Sequence, residues 1–153
     1  MSFAIAIAAI AQWGYLLEPA AREAGVDPRI IASIIYVESR GWPTTISDCG
    51  AVGLCGVVPY GRQTAADLLP PEANIPEGCA RLRVAMEYTN GDLRNALIAY
   101  HMGIAGAERA GWLRSEAGAE YVRRIGEAWG VLFPGRRPPW ARPRPKASGE
   151  QEE

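Results

Sequence analysis

The sequence predicts an all-α domain interrupted by one long glycine-rich loop with a minor short β-hairpin. Three observations carry that prediction. Apolar residues recur at helical spacing in several segments, and cap residues stand at their starts. The stretch 44–59 breaks the rhythm, with Gly50, Gly53 and Gly56 and no helical period. After Phe133 the composition turns to proline and arginine. A chain of 153 residues, 48% hydrophobic, suffices for one domain with a real core. The expected organisation is a folded domain over 1–133 and an extended or disordered tail over 134–153.

The elements follow in order. Residues 3–17 are alanine-rich and helix-forming, and Pro19 is expected to break that helix or start the next turn, with 20–24 helical up to Gly25. Asp27-Pro28 marks a helix start, with Asp27 as N-cap and proline at the first helical position. The helix 29–39 follows, and Gly41 and Pro43 stop it. The loop 44–59 is expected to hold a hairpin pairing 44–46 with 57–58. A helix over 61–69 ends at Pro70-Pro71, and 76–88 is helical, with Cys79, Leu82 and Met86 on one face. Asn90-Gly91 is a turn and Asp92 caps the helix 93–100. Ser115 caps the last helix, which runs to Leu132 with Tyr121, Val122, Ile125, Ala128, Trp129 and Leu132 on its buried side. The tail reads as a solvated terminus, the alternative being a strap that orders against a partner.

Composition narrows the function. A net charge of −1 gives no case for nucleic-acid binding. The basic residues are 15 arginines and the single Lys146, a bias that carries no function by itself. Cys49, Cys55 and Cys79 form no CxxC and have only His101 beside them, so no zinc pattern, metal site or cofactor is expected. Nothing marks the chain for export, which favours three reduced thiols over one disulfide and a free thiol. The apolar N-terminus lacks a basic region before Arg22 and is too short to span a membrane. It reads as a helix facing the core or a partner.

Glu38 is the most informative residue. It ends the apolar run 30–37 in the string Tyr-Val-Glu-Ser-Arg-Gly, just before the glycine-rich loop. The negative end of a helix and apolar neighbours both disfavour a carboxylate there. Both raise its pKa, as suits a general acid that keeps its proton near neutrality. The alternative is a solvated glutamate at a helix end.

The motifs Glu38-Ser39, Ser47-x-x-Gly50-Ala51-x-Gly53-Leu54, Pro59, Asn74-Ile75-x-x-Gly78, Ala96-Leu97-x-Ala99-Tyr100 and Tyr121-Val122 together resemble the soluble lytic transglycosylase family. The resemblance covers roughly residues 16–129. It implies a lysozyme-like helical domain acting on peptidoglycan glycan strands. The implied reaction cleaves between N-acetylmuramic acid and N-acetylglucosamine and closes a 1,6-anhydro ring. Glu38 would act first as acid and then as base, with the substrate's own N-acetyl group replacing a protein nucleophile.

The resemblance also implies substrate-binding roles. Ser39 would hold the region of the acid. Ser47 and the Gly53-Leu54 backbone would line the sugar groove, with Val58 counted among the sugar contacts. Tyr100 and Tyr121 would border the acid, with Tyr121 in reach of a hydrogen bond to it; the alternative for both is a core tyrosine with a satisfied hydroxyl. Two departures stand out. The family has Met-Gln after Gly-Leu, whereas this chain has Cys55-Gly56, and it has Asn after Ala-Tyr, whereas this chain has His101. His101 either replaces that amide's hydrogen bonds, titrates, or is satisfied by a neighbouring carbonyl.

Two other readings compete. A goose-type muramidase would need a carboxylate to position water, and Asp48 is the candidate by spacing, against a turn aspartate bonded to backbone. A degenerate lysozyme-like domain would serve as a structural or glycan-binding component, docking to virion or tail proteins through the N-terminal helix or the tail. The missing export signal, the small size and the tail point to a phage virion or host-cell protein acting on the bacterial wall.

Overall fold

The computed structural model describes residues 3–141. Helix α3 (Pro28–Glu38) is its axis, buried at every position from Ile30 to Tyr36. A helix apolar on all sides needs cover on all sides. It receives it from α1 (Phe3–Ala11), α2 (Gly14–Ala24) and the long C-terminal α8 (Glu116–Leu132). Helix α5 (Pro71–Tyr88) packs on α2 and on α6 (Leu93–Met102), which also packs on α8. Short helices α4 (Ala65–Leu68) and α7 (Ile104–Ala110) and a 3-10 turn at Trp112–Arg114 complete the described elements.

The caps sit where local chemistry puts them. Asp27 accepts from the Arg29 amide with Pro28 beside it, Asp92 from Asn95, and Ser115 from Gly118. Helix α4 has a reciprocal capping box between Thr64 and Asp67.

The first helix differs from expectation. It ends at Ala11 rather than at 17, and α1 and α2 meet at a 64° bend. Pro19 breaks nothing and lies inside α2. Likewise Pro76 lies inside α5, which begins five residues earlier at Pro71. Each proline forfeits one i→i−4 bond. The carbonyls it orphans belong to the exposed residues Tyr15 and Glu72, where water can take the place of the amide. The bend is fixed elsewhere: the Trp13 indole donates to the Gly41 carbonyl at 3.0 Å, and Gly41 lies against Ala9 so closely that a Cβ there would sit 2.8 Å from it.

The expected 61–69 helix shrinks to 65–68, and 104–114, for which no element was expected, is largely helical. The hairpin pairing 44–46 with 57–58 is corrected. Among the described residues the loop holds no strand, only isolated bridges joining Ile46 to Val52 and Val52 to Val57. Val52 and Val57 are buried, so the loop is pinned by side chains entering the core rather than by a ladder.

Ala6 and Ile10 of α1 face the core while Ile5 and Ile7 face outward. Among the described residues no single helix is long and apolar enough to cross a membrane. Residues 134–141, where the expected tail begins, lie back on α8. Trp129 donates its indole N–H to the Arg136 carbonyl, and Trp140 meets the Trp129 ring edge-on at 5.7 Å. The rest of the expected tail, 142–153, falls outside the described residues. Cys49, Cys55 and Cys79 are free thiols, the last two buried.

Candidate active site

Helix α3 ends at Glu38 and delivers a half-buried carboxyl to the junction of α3, α8 and the glycine-rich loop. Its Oε1 accepts a 2.7 Å hydrogen bond from the hydroxyl of Tyr121 on α8. Burial raises the carboxyl above its ordinary pKa, while the Tyr121 bond and the charge of Arg124 pull it down without reversing the shift. Burial and the neighbouring Glu38 hold the Tyr121 phenol well above its usual range, so it stays a donor. The charge that pulls on Glu38 is that of Arg124, one helical turn beyond Tyr121.

The other side of the acid is backbone. Gly56 has φ +59, and a Cβ there would lie 2.6 Å from Glu38 Oε2. The position that lacks the family's amide is thus the one where the loop closes directly on the carboxyl.

The loop is held in place from below. Asn74, fully buried in α5, accepts from the Cys55 amide at 2.7 Å and donates to the Val52 and Leu68 carbonyls at 2.9 and 2.6 Å. These bonds satisfy backbone groups that an irregular buried loop would otherwise orphan. Gly78, one turn along α5, packs on Cys55, where a Cβ would come within 2.6 Å of the cysteine Cβ. Tyr100 closes the clamp by donating to the Cys55 carbonyl at 2.6 Å.

The residues expected at the site divide accordingly. Tyr121 and Glu38 are joined. Tyr100 bonds the loop backbone and not the acid. Ser39 is buried; its hydroxyl lies 2.8 Å from the Leu54 carbonyl and 3.1 Å from that of Ile35, and accepts from the Gly41 amide. It ties α3 to the loop, and the Leu54 side chain is buried in the core. Gly53, φ +73, donates to the Thr45 carbonyl and sits against Asn74. These three residues hold the loop beside the acid.

Ser47 is exposed, with its hydroxyl accepting from the Ala51 amide as part of a turn. Val58 is exposed, and its carbonyl accepts from Arg81. His101 stacks on Tyr121, ring centroids 4.2 Å apart and planes 10° from parallel. Desolvation against the neighbouring groups and then the charge of Arg124 lower its pKa, which favours the neutral imidazole. Asp48 is exposed at the loop tip and makes no hydrogen bond or ion pair among the described residues.

Asn74, Gly56 and Arg124 are the contributors that the motifs alone do not assign to the site. Asn74 carries a visible signal, a polar residue within a helix of otherwise core-directed spacing. Arg124 carries one too, at i+3 from Tyr121 on the same helix face. Among the described residues no group of three His, Cys, Asp or Glu side chains is placed to hold a metal ion.

The sequence profile of the Transglycosylase SLT domain family matches residues 16–122. A transglycosylase of Enterobacteria phage PRD1 is 34% identical over 103 residues, covering 66% of this chain and 37% of that protein. An endo-type membrane-bound lytic murein transglycosylase A of Klebsiella pneumoniae subsp. pneumoniae is 36% identical over 86 residues, covering 48% of this chain and 42% of that one. The X-ray structure of an inactive mutant of lytic transglycosylase Slt from Pseudomonas aeruginosa aligns with a TM-score of 0.66 at 20% identity, over 77% of this chain and 23% of that chain. That likeness establishes a shared fold. The chain spans about two fifths of the length of these curated relatives.

Proposed function

The chain belongs to the Transglycosylase SLT domain family, and from that premise we propose that it is a lytic transglycosylase acting on the glycan strands of peptidoglycan. The observation that carries the reading is a half-buried carboxyl at the end of α3, raised in pKa and bonded to a tyrosine. In the proposed reaction protonated Glu38 gives its proton to the glycosidic oxygen as the bond to C1 of the muramoyl sugar breaks. The substrate's acetamido oxygen stabilises the developing positive charge at C1. Glu38, now ionised and stabilised by Tyr121 and Arg124, takes the proton from the muramoyl 6-hydroxyl. That oxygen closes on C1, and the acid is regenerated.

The family match favours transglycosylation over hydrolysis. A muramidase of the goose type needs a second carboxylate to orient water, and Asp48 is exposed at the loop tip. Similarity to the phage PRD1 protein supports a phage setting, with the enzyme reaching the wall as a virion or host-cell component. Mass spectrometry of the fragments released from purified sacculi tests the chemistry. Ends lighter by one water, as the 1,6-anhydro ring requires, are expected; reducing ends would mean hydrolysis.

A further inference from the structure

Beyond Gly56 the chain leaves the acid and forms a second feature the proposed reaction does not use. A hollow of about 460 Å³ is lined by Tyr60, Gly61, Arg62, Gln63, Asp67 and Leu68. Tyr60 is 69% exposed at the rim of this hollow.

The ring is nonetheless held. The Arg81 guanidinium lies 5.0 Å from its centroid, covering one face. Arg81 is itself fixed by three partners: Glu77 Oε1 at 2.8 Å, the Val58 carbonyl at 2.7 Å and Gln63 Oε1 at 3.3 Å. Gln63 Oε1 also accepts from the Tyr60 amide. An exposed aromatic ring with one face braced by a guanidinium leaves its other face for a ligand.

The polar groups around it are unequally engaged. Asp67 is occupied by Thr64. The Arg62 guanidinium and the amide nitrogen of Gln63 have no hydrogen-bond partner among the described residues. The hollow therefore offers an aromatic platform and two free donors. That set matches a pyranose ring, whose axial C–H groups stack on an aromatic face, carrying an acetamido carbonyl and a carboxylate.

Its placement relative to the acid is set by the chain. Tyr60 follows Gly56 by four positions, so the two lie within about 14 Å, a few sugar rings at most. Arg81 stands one turn along α5 from Gly78, which packs beneath the loop at Cys55. We propose that Tyr60, braced by Arg81 and flanked by Arg62 and Gln63, is an outer sugar-binding platform that grips the glycan strand away from the bond being cut. This rests on the proposed activity for the identity of the ligand but not on turnover.

Binding tests it in a way that turnover does not confound. Purified peptidoglycan glycan strands of graded length are titrated into the full chain carrying Glu38→Gln, with Tyr60 intact, as Tyr60→Ala or as Tyr60→Trp. With Tyr60 intact, long strands should bind several-fold more tightly than a disaccharide unit. Tyr60→Ala should lose most of that difference, and Tyr60→Trp should keep it. No dependence on length with Tyr60 intact, or an equal dependence in Tyr60→Ala, overturns the platform. Cleavage of sacculi by the wild type, scored separately, judges the activity itself.

Discussion

The Tyr121 hydroxyl donates to Glu38 Oε1 across 2.7 Å, joining residues 83 positions apart in the chain. The contact exists because α8 packs along the buried α3, so the last residue of one helix meets the middle of the other. The bond favours the ionised acid, and burial favours the neutral one; burial prevails.

Tyr121→Phe should therefore raise the Glu38 pKa further. Bond cleavage needs the protonated acid, so activity falls as pH rises through that pKa. The alkaline limb of the pH–rate profile should move to higher pH in Tyr121→Phe, with kcat reduced by the loss of orientation. Arg124→Gln should move the limb in the same direction, because its charge also favours the carboxylate. A limb moving to lower pH in either variant would contradict this electrostatic account.

Stability carries the same sign. A carboxyl whose folded pKa lies above its unfolded value contributes fully below the unfolded pKa and loses that contribution as pH rises through the folded one. Glu38→Gln removes the cost of an ionised buried group. Its Tm should exceed that of the wild type at pH 7 to 8, with the gain vanishing near pH 4 and below. Thermal unfolding across that range checks it.

The loop under the acid depends on Asn74. Asn74→Ala would orphan the Cys55 amide and the Leu68 carbonyl inside the core, while the Val52 carbonyl would keep its bond from the Val57 amide. Each orphaned group costs about 1–3 kcal/mol, so a loss of roughly 2 kcal/mol or more is expected in denaturant unfolding. Activity should fall further than the folded fraction, because Gly56 is displaced from Glu38.

Gly56→Ala probes the closest approach to the acid. Positive φ alone costs about 1–2 kcal/mol for a residue with a Cβ. The added Cβ would also sit 2.6 Å from Glu38 Oε2. A roughly 10- to 100-fold fall in kcat is expected from the displaced acid. Gly56→Gln, which restores the side chain the family resemblance calls for, should be impaired for the same reason rather than rescued.

Much of this was legible in the sequence because the signals are local. Asp27-Pro28, Asp92 and Ser115 announce helix starts through chemistry that acts within three residues. Glu38 was legible because a carboxyl set directly after a run of isoleucines is costly to ionise and poorly suited to a purely structural role. Pro19 and Pro76 misled because a proline's lost hydrogen bond matters little when the freed carbonyl is on an exposed residue. The roles of Ser39, Gly53 and Leu54 depend on what the loop folds against, 15 to 22 residues away, and spacing does not encode that. The expected hairpin failed because Val57 pairs with Val52, and Val52 with Ile46, in isolated bridges rather than 57–58 pairing with 44–46.

The central claim is that one proton donor does both steps, and turnover of purified sacculi by wild type and Glu38→Gln measures it most directly. The wild type should release soluble fragments with anhydro ends. Glu38→Gln should be folded, at least as stable at neutral pH, and slower by roughly 10²-fold or more. A folded Glu38→Gln that releases the same fragments at the wild-type rate would contradict the account.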